Sequence, residues 1–130
     1  MDYAALPAGL NELSQKIIGY AYNVHTALGP GLLESTYKEC LFYEIAQSGI
    51  IIEKEKELPL IYKEIKLNIG YRLDLLVENR LIIEIKSVDL LADVHSAQVL
   101  TYLKLSGCRL GLLFNFNVLH LKSGIRRFIL

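Results

Sequence analysis

Apolar residues recur at helical spacing in two segments near the beginning of the chain. In residues 11–28 they lie three or four positions apart, as on the buried face of a helix. These positions are Leu13, Ile17, Ala21, Val24 and Leu28. Glycine and proline at 29–31 disfavour continuation and end this helix. A second helical pattern covers residues 32–47 and ends at a Ser-Gly pair. We therefore expect two helices packed as a hairpin.

After residue 49, short apolar and alternating runs separated by turn residues predict strands. The first run carries a bend at Pro59, and the second a turn near residue 63. Six strands are expected, over residues 50–60, 61–69, 71–78, 81–88, 109–116 and 124–130. A third helix fits residues 93–105, with Asp93 as its N-cap and Gly107 as its C-terminal stop. This order predicts an α/β (α+β) fold, helix first, in which helices flank a central mixed β-sheet.

Ionisable side chains interrupt the two strands with the strongest β pattern. Because side chains alternate between the faces of a strand, Glu84 and Lys86 share one face of their strand. In the preceding strand, Asp74 shares a face with Arg72. The apolar side chains of this strand are expected on its other face; they are Leu73, Leu75 and Val77. Carboxylates in the middle of apolar strands are costly unless they are paired or bind a metal.

The connection between these two strands decides whether the carboxylates meet. A three-residue connection at 78–80 pairs Val77 with Leu81 and places Asp74 directly opposite Glu84. A two-residue turn would instead scatter charges over both faces of the sheet. Because the buried face sets the register of a strand pair, we predict the three-residue connection.

Two facing carboxylates beside a lysine are the parts of a site for metal-assisted phosphodiester hydrolysis. A hard cation such as Mg²⁺ can take one oxygen from each carboxylate. A lysine can orient or deprotonate a water and stabilise the charge that develops on a phosphate. An ion pair between Lys86 and either Asp74 or Glu84 would explain the same residues without catalysis. The spacing alone leaves both interpretations open.

The amino-acid composition limits the classes of protein to which this chain can belong. The chain has 130 residues, 52% hydrophobic and 22% charged, which suits one folded domain. We expect a leader at 1–10 and a single domain at 11–130. The 14 basic and 14 acidic residues cancel, which argues against a protein that coats nucleic acid through a basic excess. Charges interrupt every apolar run, so we expect no membrane span. Two distant cysteines favour a reducing cytoplasm.

Several separated motifs resemble a known group of enzymes. Asp74 followed by Glu84-Ile85-Lys86 resembles the signature of the PD-(D/E)xK nuclease superfamily, although the proline of the signature is absent. The segment at 31–37, with Glu34 in its middle, resembles the motif of the GxxExxY family, a branch of that superfamily. The resemblance extends from about residue 17 to residue 127.

This resemblance implies a restriction-endonuclease-like core and a set of site residues. Asp74 and Glu84 would be metal ligands, with the Ile85 carbonyl as a third ligand. Lys86 would be the catalytic lysine, and Glu34 would reach the metal directly or through water. Gln98 and Tyr102 match the Q-x-x-x-Y motif of RecB-like nucleases. The resemblance therefore adds them as catalytic residues on one face of the third helix. Without the resemblance, Glu34 reads as a first-turn acid favoured by the helix dipole, and the other two as a solvated amide and a packing residue.

The resemblance further implies a Mg²⁺- or Mn²⁺-dependent phosphodiesterase that acts on nucleic acid, with DNA favoured over RNA. Two alternatives stay open. One is a nucleic-acid- or protein-binding module that keeps the nuclease fold without turnover. The other is a dimeric enzyme similar to Holliday-junction resolvases, since a homodimer is compatible with the apolar last strand.

The remaining candidates outside this set are basic residues and histidines. Lys122, Arg126 and Arg127 form the main basic concentration, which is interpreted either as a charged edge that blocks strand pairing or as a phosphate-contacting patch. His25, near the end of the first helix, is expected to be structural. His95 lacks metal-ligand spacing to another histidine or cysteine and is expected to be structural or at the surface.

Overall fold

The computed structural model describes residues 6–130, and in it two helices precede all the strands. The helices are α1 (Leu10–Leu28), α2 (Glu34–Gln47) and α3 (Asp93–Ser106). The strands are β1 (Ile52–Glu57), β2 (Leu60–Tyr62), β3 (Ile65–Leu67), β4 (Arg72–Val77), β5 (Leu81–Lys86), β6 (Leu110–Asn115) and β7 (Ile125–Ile129). A 3-10 turn, Leu121–Gly124, precedes β7.

Five strands form one mixed sheet in the order β1-β4-β5-β6-β7. The pair β5/β6 is parallel, and the other neighbouring pairs are antiparallel. The crossover between the parallel strands contains α3, as parallel neighbours require. The expected mixed sheet flanked by helices, helix first, is therefore confirmed.

The remaining two strands form a separate antiparallel pair, β2 and β3, which we call the ribbon (residues 60–67). The strand predicted over residues 50–60 ends at Glu57, and Leu58 and Pro59 separate it from the ribbon, which begins at Leu60. The predicted turn near residue 63 is also confirmed, because Tyr62 pairs with Ile65 across it.

The sheet separates two apolar clusters. The cluster on one face brings α1 and α2, which pack on each other, against the apolar side chains of the central strands. It contains Ile17, Tyr37, Leu41, Ile83 and Phe114, all fully buried. A second cluster lies between the sheet and α3 and includes Val99 and Leu103. Burial of a single side chain of this size stabilises the fold by ~1.5–3 kcal/mol.

Two details differ from the sequence prediction. The N-cap of α3 is Ala92, whereas Asp93 is the first helical residue, and the Ala92 N–H donates to His95 Nδ1 at 2.9 Å. The predicted basic patch is divided by the sheet. On the edge strand β7, Arg126 donates to Ser96 of α3, whereas Arg127 donates to Ser14 of α1. Consecutive strand residues point to opposite faces, so these two arginines cannot form one surface.

The predicted leader, residues 1–10, lies partly outside the described residues. Within the described part, Leu6 packs against the core and Leu10 begins α1 as a buried residue. The division of the chain into leader and domain stays a prediction. None of the helices between residues 6 and 130 has the length and apolar character needed to cross a membrane.

Candidate active site

The turn between β4 and β5 sets the register that the site depends on. Val77 pairs with Leu81, and the Arg80 N–H donates to the Val77 carbonyl at 3.0 Å. Glu78 and Asn79 both adopt left-handed backbone angles in this turn. The connection therefore has the predicted three residues, and Asp74 falls opposite Glu84.

Regular pairing of β4 with β5 stops at Leu75 and Ile83, one step before the two acids. Beyond that point the carboxylates bond to main-chain groups. The Asp74 N–H donates to Glu84 Oε1 at 3.0 Å, and the Ile85 N–H donates to Asp74 Oδ2 at 2.8 Å. Each acid thus bonds to the strand that carries the other, which brings both carboxyl groups into the opening between the strands.

The other side of β4 is also irregular at Asp74. Glu55 of β1 lies opposite Asp74, between the pairs Lys54–Leu75 and Lys56–Leu73, and has a left-handed φ of 55°. Leu73 packs in the cluster on the α3 face, whereas Leu75 packs on the opposite face. The prediction that the odd-numbered apolar residues of β4 share one face is therefore wrong for Leu73, because the strand is irregular at Asp74.

Glu84 is the more buried of the two acids, with only 2% of its surface exposed. Burial, followed by the negative charge of the adjacent Asp74, raises the pKa of Glu84 to about 9. A protonated Glu84 also hydrogen-bonds the Asp74 side chain. At neutral pH and without a cation, Glu84 therefore keeps its proton.

Lys86 and Glu34 lie close enough to this pair to act on it electrostatically. Lys86 is half-buried at the end of β5, and its charge partly offsets the rise in the pKa of Glu84. Glu34 is the first residue of α2. Partial burial raises the pKa of Glu34, Lys86 opposes this rise, and Asp74 adds to it. The structure thus brings all four predicted ionisable residues into one electrostatic neighbourhood.

Residues 6–130 nevertheless contain no group of three acidic, histidine or cysteine side chains already arranged to hold a metal ion. Asp74 and Glu84 form a pair, and Glu34 interacts with Asp74 through charge. The predicted set of metal ligands therefore stays a prediction.

The donor chemistry of the pair suits a hard divalent cation. Glu84 holds a proton that such a cation can replace, because metal binding to carboxyl groups releases protons. The Phe116 N–H donates to the Lys86 carbonyl, so the main chain of Lys86 faces β6. By strand alternation, the carbonyl of Ile85 faces β4, beyond the last regular pair. Oxygen donors of this kind are the ligands that Mg²⁺ and Mn²⁺ prefer.

Gln98 and Tyr102 lie on one face of α3, as their spacing predicted. Gln98 Nε2 donates to the Tyr102 hydroxyl at 3.2 Å. Burial, followed by the charge of Glu84, raises the pKa of Tyr102, so the tyrosine lies within electrostatic range of Glu84. The ring of Tyr71 packs edge-on against Tyr102 with centroids 6.4 Å apart.

Lys38 is a site neighbour that the sequence reasoning missed. It lies one helical turn after Glu34 on α2 and forms an ion pair with Glu55, the residue opposite Asp74. Only 16% of the Lys38 side chain is exposed, and Glu55 and Asp74 both favour its charged form, so its pKa is raised despite burial. The i, i+4 spacing from Glu34 was the available signal.

Asn115 is a second residue that the prediction missed, and it orders the loop after β5. This buried side chain accepts the Val88 N–H at 3.1 Å and donates to the Val88 carbonyl at 3.0 Å. It thereby fixes the main chain two residues beyond Lys86. A polar residue at the end of the apolar run of β6 was the only sequence signal.

The loop between α1 and α2 is held by Tyr37, which is fully buried. Its hydroxyl donates to the Gly29 carbonyl at 2.5 Å and accepts the Leu32 N–H at 3.1 Å. Its ring stacks on Phe116 at a centroid distance of 4.6 Å. His25 likewise supports this region, because its Nε2 bonds the Val118 carbonyl at 2.7 Å, in agreement with the predicted structural role.

Comparison with known proteins gives one match. The family model for the PD-(D/E)XK nuclease superfamily matches residues 11–128. No curated protein and no solved structure matches the chain. The resemblance to the superfamily is therefore confirmed over nearly the whole chain, whereas membership of the GxxExxY branch stays a prediction.

Proposed function

The chain belongs to the PD-(D/E)XK nuclease superfamily, and on that premise we propose that it is a metal-dependent phosphodiesterase that cleaves nucleic acid, with DNA favoured over RNA. Membership suggests nuclease activity and implies a nucleic-acid substrate. The observation that carries the finer proposal is the pair of acids at the end of the β4/β5 ladder. Each acid bonds to the main chain of the other's strand, with Lys86 at the end of β5.

In the proposed mechanism, Asp74, Glu84 and the Ile85 carbonyl would hold Mg²⁺ or Mn²⁺, and Glu34 would support the site from α2. When bound, such a cation would supply Lewis-acid activation of the phosphate and lower the pKa of a water. Glu84 would act as a ligand in its ionised form, without the proton that it holds in the metal-free protein. Lys86 orients the attacking water and stabilises the negative charge on the phosphate.

We propose that two further residues position the substrate in the site. Tyr102 and Gln98 are hydrogen-bonded to each other beside Glu84, so they act as one unit. We assign them to orienting a phosphate oxygen or the leaving group. A homodimer and a reducing cytoplasm remain part of the proposal, the latter supported by the two cysteines, Cys40 and Cys108, which form no disulfide.

A panel of nucleic acids tests this proposal. Single-stranded, duplex and branched DNA and single-stranded RNA are incubated with Mg²⁺, Mn²⁺ or EDTA, and products are separated on a denaturing gel. We expect cleavage of DNA that requires the divalent cation and is lost in Asp74→Asn. Cleavage that persists in EDTA, or equally in Asp74→Asn, would contradict the assignment.

A non-catalytic nucleic-acid-binding module is the second candidate. It is favoured by one observation, namely that no preformed group of three metal-ligating side chains occurs within the described residues. Titration with Mn²⁺ discriminates between the two candidates. A phosphodiesterase binds Mn²⁺ at the Asp74–Glu84 pair, whereas a binding module without turnover need not take up the metal there.

A further inference from the structure

The ribbon exposes an unusual amount of apolar surface. Four large side chains on or next to it are more than half exposed, at 56–59% of their surface. They are Ile61, Tyr62, Ile65 and Ile69. Contiguous apolar surface on a soluble protein commonly marks a binding site. The ribbon pairs only with itself, so the protein's own sheet does not cover this surface.

The apolar side chains are arranged as a platform near the turn. Tyr62 and Ile65 are directly opposite each other, so they lie on the same face of the ribbon. The pair Leu60 and Leu67 continues that face toward the body of the protein and is half-buried. The platform therefore becomes more exposed toward the turn.

The base of the ribbon is attached to the candidate active site. Leu58, just before the ribbon, is buried in the cluster on the α3 face. Tyr71, just after it, packs against Tyr102, the tyrosine beside Glu84. A strand of nucleic acid that reaches the carboxylate pair from this side would pass along the ribbon.

The charges on the ribbon complement a phosphate backbone. Lys63, which follows Tyr62 in the turn, has no carboxylate within ion-pair distance in the described part of the chain. In contrast, Lys54 and Lys56 of β1 are paired with Glu39 and Glu53. Lys66 lies opposite Ile61, on the other face of the ribbon. The Lys63 ammonium lies 5.5 Å from the centre of the Tyr62 ring, so an aromatic face and a cation occur side by side. Proteins that bind single strands combine these two features.

We propose that the ribbon binds unpaired nucleotides of the substrate, with bases on the platform of Tyr62 and Ile65 and a phosphate at Lys63. This inference deepens the proposed function and rests on it, since it names a substrate with a single-stranded segment. A second copy of the chain is a poorer occupant. A two-fold contact through the platform would bury little more than Tyr62 and Ile65 of each copy, well short of the ~800 Å² per partner of a stable interface.

Binding is measured without cleavage, by fluorescence anisotropy of a labelled 20-nucleotide DNA strand and of its duplex in EDTA. The wild-type protein is expected to bind the single strand more tightly than the duplex. The double variant Tyr62→Ser/Ile65→Ser is expected to lose about tenfold or more of its single-strand affinity. Tyr43→Ser, which changes an equally exposed tyrosine on α2, serves as the control and is expected to leave that affinity unchanged.

A second variant keeps the platform intact and tests the charges. Lys63→Gln is expected to reduce the slope of log affinity against log salt by ~0.7, the contribution of one phosphate contact for single strands. Single-strand binding that is equal in the wild-type protein, Tyr62→Ser/Ile65→Ser and Lys63→Gln would overturn the inference. A wild-type dimer that becomes a monomer in Tyr62→Ser/Ile65→Ser by sedimentation would also overturn it, in favour of a second copy. Ribbon-dependent binding without any cleavage would support the inference and contradict only the phosphodiesterase proposal.

Discussion

Glu84 lies opposite Asp74, and its Oε1 accepts the main-chain N–H of Asp74 at 3.0 Å. The bond satisfies this N–H one residue beyond Leu75 and Ile83, where β4 and β5 end their regular pairing. The strands can therefore separate without leaving that N–H unsatisfied, a situation that would otherwise cost ~1–3 kcal/mol if it were buried. The same separation holds two carboxyl groups side by side, and most of the predictions below depend on it.

The first prediction concerns the pH dependence of stability in the metal-free protein. The folded state keeps the Glu84 proton up to a pKa of about 9, whereas the unfolded chain releases it near 4.5. Between these values the folded state binds more protons, so this residue makes the free energy of unfolding fall as pH rises. Glu84→Gln retains an acceptor for the Asp74 N–H and carries no charge. We expect it to be more stable than the wild-type protein at pH 9 by more than ~1.4 kcal/mol, the equivalent of one pKa unit.

Urea denaturation of both proteins at pH 5 and pH 9, in EDTA, checks this prediction. At pH 5 the Glu84 carboxyl is protonated in the folded state, so the advantage of the variant should nearly vanish. An equal difference in stability at the two pH values would show that Glu84 does not hold its proton.

The second prediction concerns coupling between metal binding and the same proton. A cation must displace the proton held by Glu84, so the association constant for Mn²⁺ should rise with pH by up to ~10-fold per unit at neutral pH and level off near pH 9. Calorimetry in buffers of different ionisation enthalpy measures the number of protons released. We expect close to one proton at pH 7 for the wild-type protein and none from this position in Glu84→Gln. A wild-type affinity that is independent of pH would argue against metal binding at the pair.

The third prediction uses two ion pairs that join α2 to β1. Lys38 pairs with Glu55 next to Asp74, whereas Lys54 pairs with Glu39 at an exposed position. Lys38→Met removes a positive charge beside Asp74 and should lower the rate of cleavage roughly 10-fold. Lys54→Met is the matched control, because exposed pairs contribute only ~0–1 kcal/mol and this one is farther from the acids. Steady-state cleavage of one oligonucleotide compares them, and equal rates would remove Lys38 from the site.

The fourth prediction concerns the loop before Glu34. Tyr37→Phe removes a hydroxyl that bonds both the Gly29 carbonyl and the Leu32 N–H, while the ring keeps its stacking on Phe116. We expect a loss of ~1–3 kcal/mol in the free energy of unfolding. Tyr43→Phe, at an exposed position of α2, should change stability by less than ~0.5 kcal/mol. Guanidinium denaturation of the two variants measures both values.

Much of the fold could be predicted because it follows from periodicity. The apolar spacing gave the hairpin of α1 and α2, and the requirement to bury one face gave the pairing of Val77 with Leu81. The proximity of Asp74 to Glu84 followed from that register alone. The order of helices and strands along the chain was sufficient to predict a mixed sheet. It was not sufficient to predict the position of each strand within that sheet.

The features that could not be predicted depend on irregular or tertiary contacts. Leu73 lies on the unexpected face because side-chain bonds at Asp74 interrupt the strand, and periodicity assumes a regular strand. Lys38 reaches the site through an ion pair with a residue 17 positions away. The helix α3 is capped at Ala92, whose N–H donates to Nδ1 of His95. The usual preference for aspartate at an N-cap pointed to Asp93 instead and does not reveal this side-chain bond. The position of Arg126 and Arg127 on opposite faces of the sheet follows from strand alternation alone, so it could have been predicted from the sequence.

The most direct test of the account compares the wild-type protein with Lys86→Met, with Mn²⁺ binding and single-turnover cleavage of one DNA oligonucleotide measured on the same preparations. The account predicts that the variant binds Mn²⁺ about as well as the wild-type protein, because Asp74 and Glu84 are intact, and cleaves at least ~100-fold more slowly. Equal cleavage by the two proteins, or a wild-type protein that binds Mn²⁺ and cleaves no substrate, would contradict it.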